Sequence, residues 1–312
     1  MKLQVALLAA AAAIAGRVLA QPAPISDAVW LAPETDLVSF LTSAPAECLA
    51  RPDEKEARYK VDIGRVAFRS PFLLGGQAAR GRLSCSACHV NGRGNRDFFI
   101  DGLSTEPGTA DVTSSIFSAV REDGLLNARP IPDLLDLAMR AERAHGVDKF
   151  IEGVVVDEFQ GRPPPREVID GLVAYVSSLR SSACEEGVVR LTPRRDMRHV
   201  ARALAVADAA LIRGDAVVAD FALLAAQAEL GRIAERYPNS PEERADLTSV
   251  AELIAGTRAI APAAAKGARV RIAEAELAAL RISYALNRAR RASLYDRETA
   301  AAYLASYRPA AD

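Results

Sequence analysis

One pentapeptide constrains this chain more than any other feature: Cys85-Ser86-Ala87-Cys88-His89. Its C-x-x-C-H form is that of a c-type haem attachment site, in which two thiols add across the haem vinyl groups and the adjacent histidine reaches the iron. With Cys 4 and His 3 among 312 residues, composition alone yields this spacing about four times in ten thousand. Cys85, Cys88 and His89 are therefore the expected binding residues for one covalent haem c, with His89 on its iron.

The start of the chain suits that reading. Lys2 precedes an aliphatic run at 5–15, and Val18-Leu19-Ala20 is an A-x-A-like small-residue site. This is the pattern of a secretory signal peptide, cleaved after Ala20. The run is too short for a permanent membrane span, and no later stretch is long and apolar enough. Arg17, inside the cleavage region, leaves an uncleaved anchor as the alternative. Export to the bacterial periplasm also suits Cys48 and Cys184. They are an even pair that brackets the motif, so a disulfide is expected, with two unrelated free thiols as the alternative. Net charge is −1, from 39 basic and 40 acidic residues. The absence of a polybasic run argues against nucleic acid and anionic membrane surfaces as partners.

Residues are 50% hydrophobic but only 5% aromatic, which favours helices over a β-sandwich. Residues 21–45 read as a loose lead-in, with Trp30 as an anchor. A helix is expected at 53–68, stopped by Pro71 and Gly75-Gly76. Residues 69–84 and 91–112 read as loops, and short helices are expected at 112–120 and 132–144, the latter closed by Gly146. Pro165 opens a helix reaching about 180, whose apolar face is Val168, Ile169, Leu172, Val173, Val176 and Leu179. After a connector at 187–193, residues 194–308 read as alanine-rich amphipathic helices in a small antiparallel bundle. Breaks are expected near Gly214, at 237–241 and near Pro262, with Ser240 as N-cap and Pro241 as the first helical residue.

Gly64 and Phe68 share one helix face, as do Leu172 and Tyr175. This arrangement around the pentapeptide resembles the helix-crossing signature of class I cytochromes c. The stretch IGRVAFRSPFLLGGQAARGRLSCSACH resembles the entry of bacterial di-haem cytochrome c peroxidases and MauG-type proteins, through Gly64, Phe68, Pro71, Ser84, Cys85, Cys88 and His89. GTADVTSSIF, from Gly108, lies where that family has a segment near the haem but lacks its arginine-asparagine-threonine-proline wording. The resemblance covers about 60–180 and implies an all-α fold: a cytochrome c-like haem domain at 21–186, then a helical bundle at 187–312. The relatives carry two haems and this chain has one motif, so an internal two-haem relay is excluded.

The ligand opposite His89 separates electron transfer from chemistry, because a methionine there blocks substrate. Class I cytochromes place it in the loop before the last helix; here that loop, 157–165, contains none. Met139 and His145 are the two candidates within the domain, and an open position is the third possibility. Arg80, Arg82, Arg93 and Arg96 flank the motif, and one or two could pair with haem propionates. The leading expectation is a periplasmic mono-haem electron carrier with redox-protein partners. The alternatives are a peroxidase-like haem enzyme acting on hydrogen peroxide, and a sensor or scaffold docking through its bundle.

Overall fold

The computed structural model of the chain describes residues 25–113, 117–118, 120, 123–137, 146–184 and 187–307. It is mostly helical, with three separate two-stranded pairs and no larger sheet among the described residues. The expected lead-in is ordered: a 3-10 turn at Ser26–Trp30, then α1 (Leu37–Thr42) and β1 (Ser43–Pro45). Asp36 caps α1 by accepting from Ser39 N, an ordinary N-cap bond.

Helix α2 (Lys55–Arg69) starts where Glu54 accepts from the backbone N–H groups of Glu56 and Ala57, and it stops at Ser70-Pro71. Its buried face is Val61, Ile63, Gly64, Val66, Ala67 and Phe68. After α3 (Gly76–Arg80) comes α4 (Cys85–Cys88), a single turn formed by the motif itself. β2 (His89–Val90) and β3 (Arg93–Gly94) then form a tight hairpin, and β4 (Thr109–Ala110) pairs with β5 (Arg129–Pro130).

The described residues of the expected helix at 112–120 are turns and irregular chain; of the expected helix at 132–144 only 132–137 are described, as irregular chain and a tight turn, and the remainder lies outside the described residues. Tertiary hydrogen bonds claim the described backbone. Leu134 N donates to Gly92 O, Asp136 N donates to Leu179 O, and Ile131 N donates to Gly108 O. Asp136 takes φ 56°, which breaks helical continuation. Gly146, at φ 77°, precedes α5 (Val147–Gly153), which runs on as a wide turn through Val154–Glu158; the chain just before Gly146, where the expected helix would end, lies outside the described residues. α6 (Arg166–Ser177) buries Val168, Ile169, Gly171, Leu172, Tyr175 and Val176. It ends short of 180 because Leu179 pairs with Leu49.

The expected connector contains β6 (Val188–Arg190), antiparallel to β1 with Ser43 opposite Arg190. Four long helices follow: α7 (Pro193–Ile212), α8 (Ala216–Glu235), α9 (Pro241–Ile260) and α10 (Ala265–Arg288). Each packs on its two neighbours, α10 closing on α7, and the short connections make successive helices antiparallel. The breaks fall where expected. Gly214 takes φ 78°, and Pro241 is the first helical residue behind Ser240, whose hydroxyl makes no cap bond. Thr192 and Asp215 cap α7 and α8 with side-chain acceptors. Buried Ala203, Ala207, Ala210, Ala219, Ala222 and Ala226 let α7 and α8 approach closely. Tyr237 and Tyr295 are fully buried, and each hydroxyl donates to an internal acceptor, Leu286 O at 2.9 Å and Asp196 at 2.6 Å. α11 (Arg297–Tyr307) returns to pack on α1.

One hydrophobic cluster runs from Cys48 to Tyr295, so the two halves of the chain share a core. Charged pairs cross the same boundary: Arg69 with Glu229 at 2.8 Å and Arg202 with Asp62 at 3.1 Å. Between them lies a cavity of about 10 Å³, lined in part by Arg65, Arg69, His199 and Arg202, room for about one water. Among the described residues no helix is long and apolar enough to cross a membrane.

Candidate functional site

The site is built on a helix crossing. Where α2 passes α6, a Cβ on Gly64 would overlap the carbonyl oxygen of Gly171, and a Cβ on Gly171 would sit 2.9 Å from Gly64 N. Two glycines therefore bring the backbones into contact. Gly171, one position before the expected Leu172, escaped the sequence reading; its place in the apolar stripe was the available signal. Beside the crossing, Phe68 and Tyr175 meet edge to face at 5.2 Å, and Phe68 lies 6.5 Å from the His89 ring. Leu172 and Tyr175 are both 2% exposed.

Tyr175 is tied down from the far side. Its hydroxyl donates to Glu47 at 3.0 Å, and Glu47 also accepts from Arg65. Burial alone would raise the Glu47 carboxyl; Arg65 outweighs it and holds that carboxyl below its ordinary value. Nothing in the sequence marked Glu47.

α4 puts Cys85 and Cys88 on one face of one turn, as residues three apart must be. Both are free, half-buried thiols packed on the core. Desolvation pushes the Cys85 thiol up to about 12 and raises Cys88 further, with Cys85 as its second cause. These are protonated thiols, unlike the acidic cysteine of a C-x-x-C oxidoreductase. The turn is fixed from outside: Asn95 Nδ2 donates to Ala87 O at 2.8 Å, and Asn95 N donates to Cys88 O at 2.8 Å.

His89 begins the hairpin, opposite Gly94. Gly94 lies against the backbone of Ile131 and Pro132, which brings Pro132 O to 3.0 Å from His89 Nδ1. With Nδ1–H donating there, the lone pair is on Nε2. Burial drives the imidazole down to about 4, against the pull of the Pro132 carbonyl, so it is neutral at pH 7. Pro132 contributes only its backbone, which is why residue type could not reveal it.

The hairpin is anchored to a crosslink. Cys48 and Cys184 form a disulfide with Cα atoms 4.5 Å apart. Arg93 Nη2 lies 3.4 Å and 3.5 Å from the two sulfurs, while its other nitrogen pairs with Asp133 at 3.3 Å. Asn91, at φ 53°, donates to Pro45 O. Of the arginines flanking the motif, Arg93 is thus held by the disulfide and Asp133, and Arg82 by Glu235 of α8. Trp30 packs its ring over Gly81, four residues before Cys85, as an anchor, with its indole N–H buried and without a partner among the described residues. Arg232 of α8 donates to Ser84 Oγ at 3.4 Å, so the bundle braces the residue ahead of the motif.

Met139 and His145 lie outside the described residues. Among the described residues no group of three or more His, Cys, Asp or Glu side chains is arranged to hold a bare metal ion. The residues do suit covalent haem: two protonated thiols on one turn, a neutral imidazole with Nε2 available, and an aromatic floor. No protein-family model, curated protein or solved structure matches the chain.

Proposed function

We propose that this chain is a mono-haem c-type cytochrome, exported to the periplasm, that passes single electrons between redox-protein partners. The observation that carries the reading is His89, with Nδ1 bound to the Pro132 carbonyl directly after two thiols on one helical turn. When bound, haem c supplies a one-electron couple. The protein's part is positional. Cys85 and Cys88 hold the group as thioethers, His89 presents Nε2 in a fixed orientation, and the Pro132 carbonyl sets the tautomer and ring angle. Phe68 and Tyr175 close the apolar side and keep water away. The Cys48–Cys184 crosslink and Arg93 hold the hairpin that carries His89.

The test is expression with a haem-attachment system, followed by mass spectrometry and a pyridine haemochrome spectrum. The reading requires one haem in covalent linkage. It fails if the exported chain carries none, or if Cys85→Ala and Cys88→Ala leave the haem linkage unchanged. A methionine-free loop at 157–165 favours a second reading, a peroxidase-like enzyme with an open iron position. Rapid carbon monoxide uptake by the native reduced protein, with hydrogen peroxide turnover, would select it over the electron carrier.

A further inference from the structure

Helix α10 has two apolar faces. One faces the bundle through Ala268, Ile272, Ala275, Ala279 and Leu286, all buried. The other faces outward: Val270 is 57% exposed, Leu277 58%, Leu280 55% and Tyr284 62%. With exposed Ala273, these residues fall at 270, 273, 277, 280 and 284. That 3-4-3-4 spacing is the seam of a coiled-coil helix, and it continues for about 21 Å at the ordinary helical rise. Scattered exposed apolar residues need no explanation, but a continuous stripe on one rigid helix marks a contact surface.

The charges beside the stripe identify the occupant. Arg269, whose guanidinium also pairs with Asp208 of α7 at 2.7 Å, and Glu276 lie along one edge, and Glu274 and Arg281 along the other, so the pair free of internal competition is Glu276 with Arg281. When two such helices pair in parallel, a residue on the first edge faces the residue five positions later on its neighbour. Position 269 then meets 274, and 276 meets 281. Both are arginine–glutamate pairs, and two-fold symmetry supplies each twice. The stripe is self-complementary in shape class and in charge order. The single chain treats Glu276 poorly: burial, then the nearby Asp208 carboxylate, raises its carboxyl, and an arginine from a second copy would relieve this.

We infer that α10 is a homodimerisation helix, pairing in parallel with α10 of a second copy of this chain through Val270, Ala273, Leu277, Leu280 and Tyr284. This stands independently of the haem reading. The bundle then has a role of its own, since it keeps the seam straight on one side and presents it on the other.

The experiment is sedimentation equilibrium on the full exported chain across a wide concentration range. Wild type is expected to move from monomer to dimer. Leu277→Glu with Leu280→Glu should remain monomeric, with an unchanged far-ultraviolet spectrum because both side chains are exposed in the single chain. Glu276→Arg alone and Arg281→Glu alone should each weaken the dimer about tenfold or more, and the two combined should restore it. A wild type that stays monomeric at every concentration overturns the proposal. So does a dimer that the Leu277 and Leu280 changes leave intact, or a charge pair that does not rescue. Protection of 270–284 from hydrogen exchange in a monomer, by a segment of the same chain, would assign the stripe to an intramolecular occupant and also overturn it.

Discussion

Arg232 donates to the hydroxyl of Ser84, the residue just before the one-turn helix of Cys85 and Cys88, at 3.4 Å. The contact spans 148 positions. It shows that the alanine-rich bundle touches the motif loop directly. Arg232 is also held by Asp27 at 3.4 Å, so one half-buried guanidinium ties together the lead-in, the loop and α8. Replacing it with alanine should cost about 1–3 kcal/mol. Arg232→Ala should fold with an unchanged far-ultraviolet spectrum but a lower unfolding midpoint in urea. An unchanged midpoint would show that the contact carries no stability.

The Gly64–Gly171 crossing predicts a steric failure. Gly171→Ala places a methyl against Ile63 and Gly64 N, and neither neighbour can withdraw without separating α2 from α6. The expected loss is about 2 kcal/mol or more, read as a lower melting temperature by circular dichroism. Gly187→Ala is the control, since nothing lies within 4 Å of a Cβ there.

Acid should weaken the fold in two steps. Burial, then the Arg69 and Arg202 guanidiniums, hold His199 well below its ordinary 6.5. The unfolded chain therefore takes up a proton that the folded chain refuses, and stability falls as pH drops through about 6.5. Glu47 acts lower: its carboxyl is held below the ordinary 4.5, so the stability it contributes is present above that value and is lost as pH falls through the lowered folded one. Urea midpoints measured from pH 7.5 to 3 should show both slopes. His199→Gln should reduce the slope that sets in below about pH 6.5.

Removing the crosslink should be expensive. Cys48 and Cys184 are 136 positions apart, and closing so long a loop is worth about 5 kcal/mol in the chain-entropy account. The Cys48→Ser, Cys184→Ser double variant should unfold at a markedly lower urea concentration. It should also broaden the signals of the His89 hairpin, because Arg93 loses its seat. Amide hydrogen exchange of residues 89–94 and their nuclear magnetic resonance line widths check the second effect.

Cutting the chain after residue 190 should not yield a stably folded unit around the motif. Arg69 would lose Glu229, Asp62 would lose Arg202, and the face of α2 that meets α8 would be bare. Limited proteolysis of the truncated chain is expected to degrade the motif region rapidly, whereas a resistant core would show that the bundle is dispensable.

Local chemistry was readable in the sequence and nonlocal chemistry was not. The motif, α2, α6 and the bundle breaks followed from spacing, caps and glycine or proline punctuation, all written within a few residues. The start of the expected helix at 132–144 is irregular because the backbone of Leu134 and Asp136 is spent on bonds to Gly92 and Leu179, which no local pattern records. Pro132 enters the site by a carbonyl that every residue possesses. Glu47 and Arg65 lie 18 positions apart, and charge pairs at that separation have no periodic signature. β6 was hidden because a three-residue strand is defined by its partner rather than by its own composition.

That short pairing of Ser43–Pro45 with Val188–Arg190 has a temporal consequence. A chain that emerges from its amino end must keep β1 waiting until residue 190 has appeared, and the Ser84 brace waits longer still, for Arg232. Through that interval α4 has neither its crosslinked neighbour nor its bundle wall. The Cys85 and Cys88 thiols are most open while the molecule is incomplete, before the later half of the chain packs against their loop.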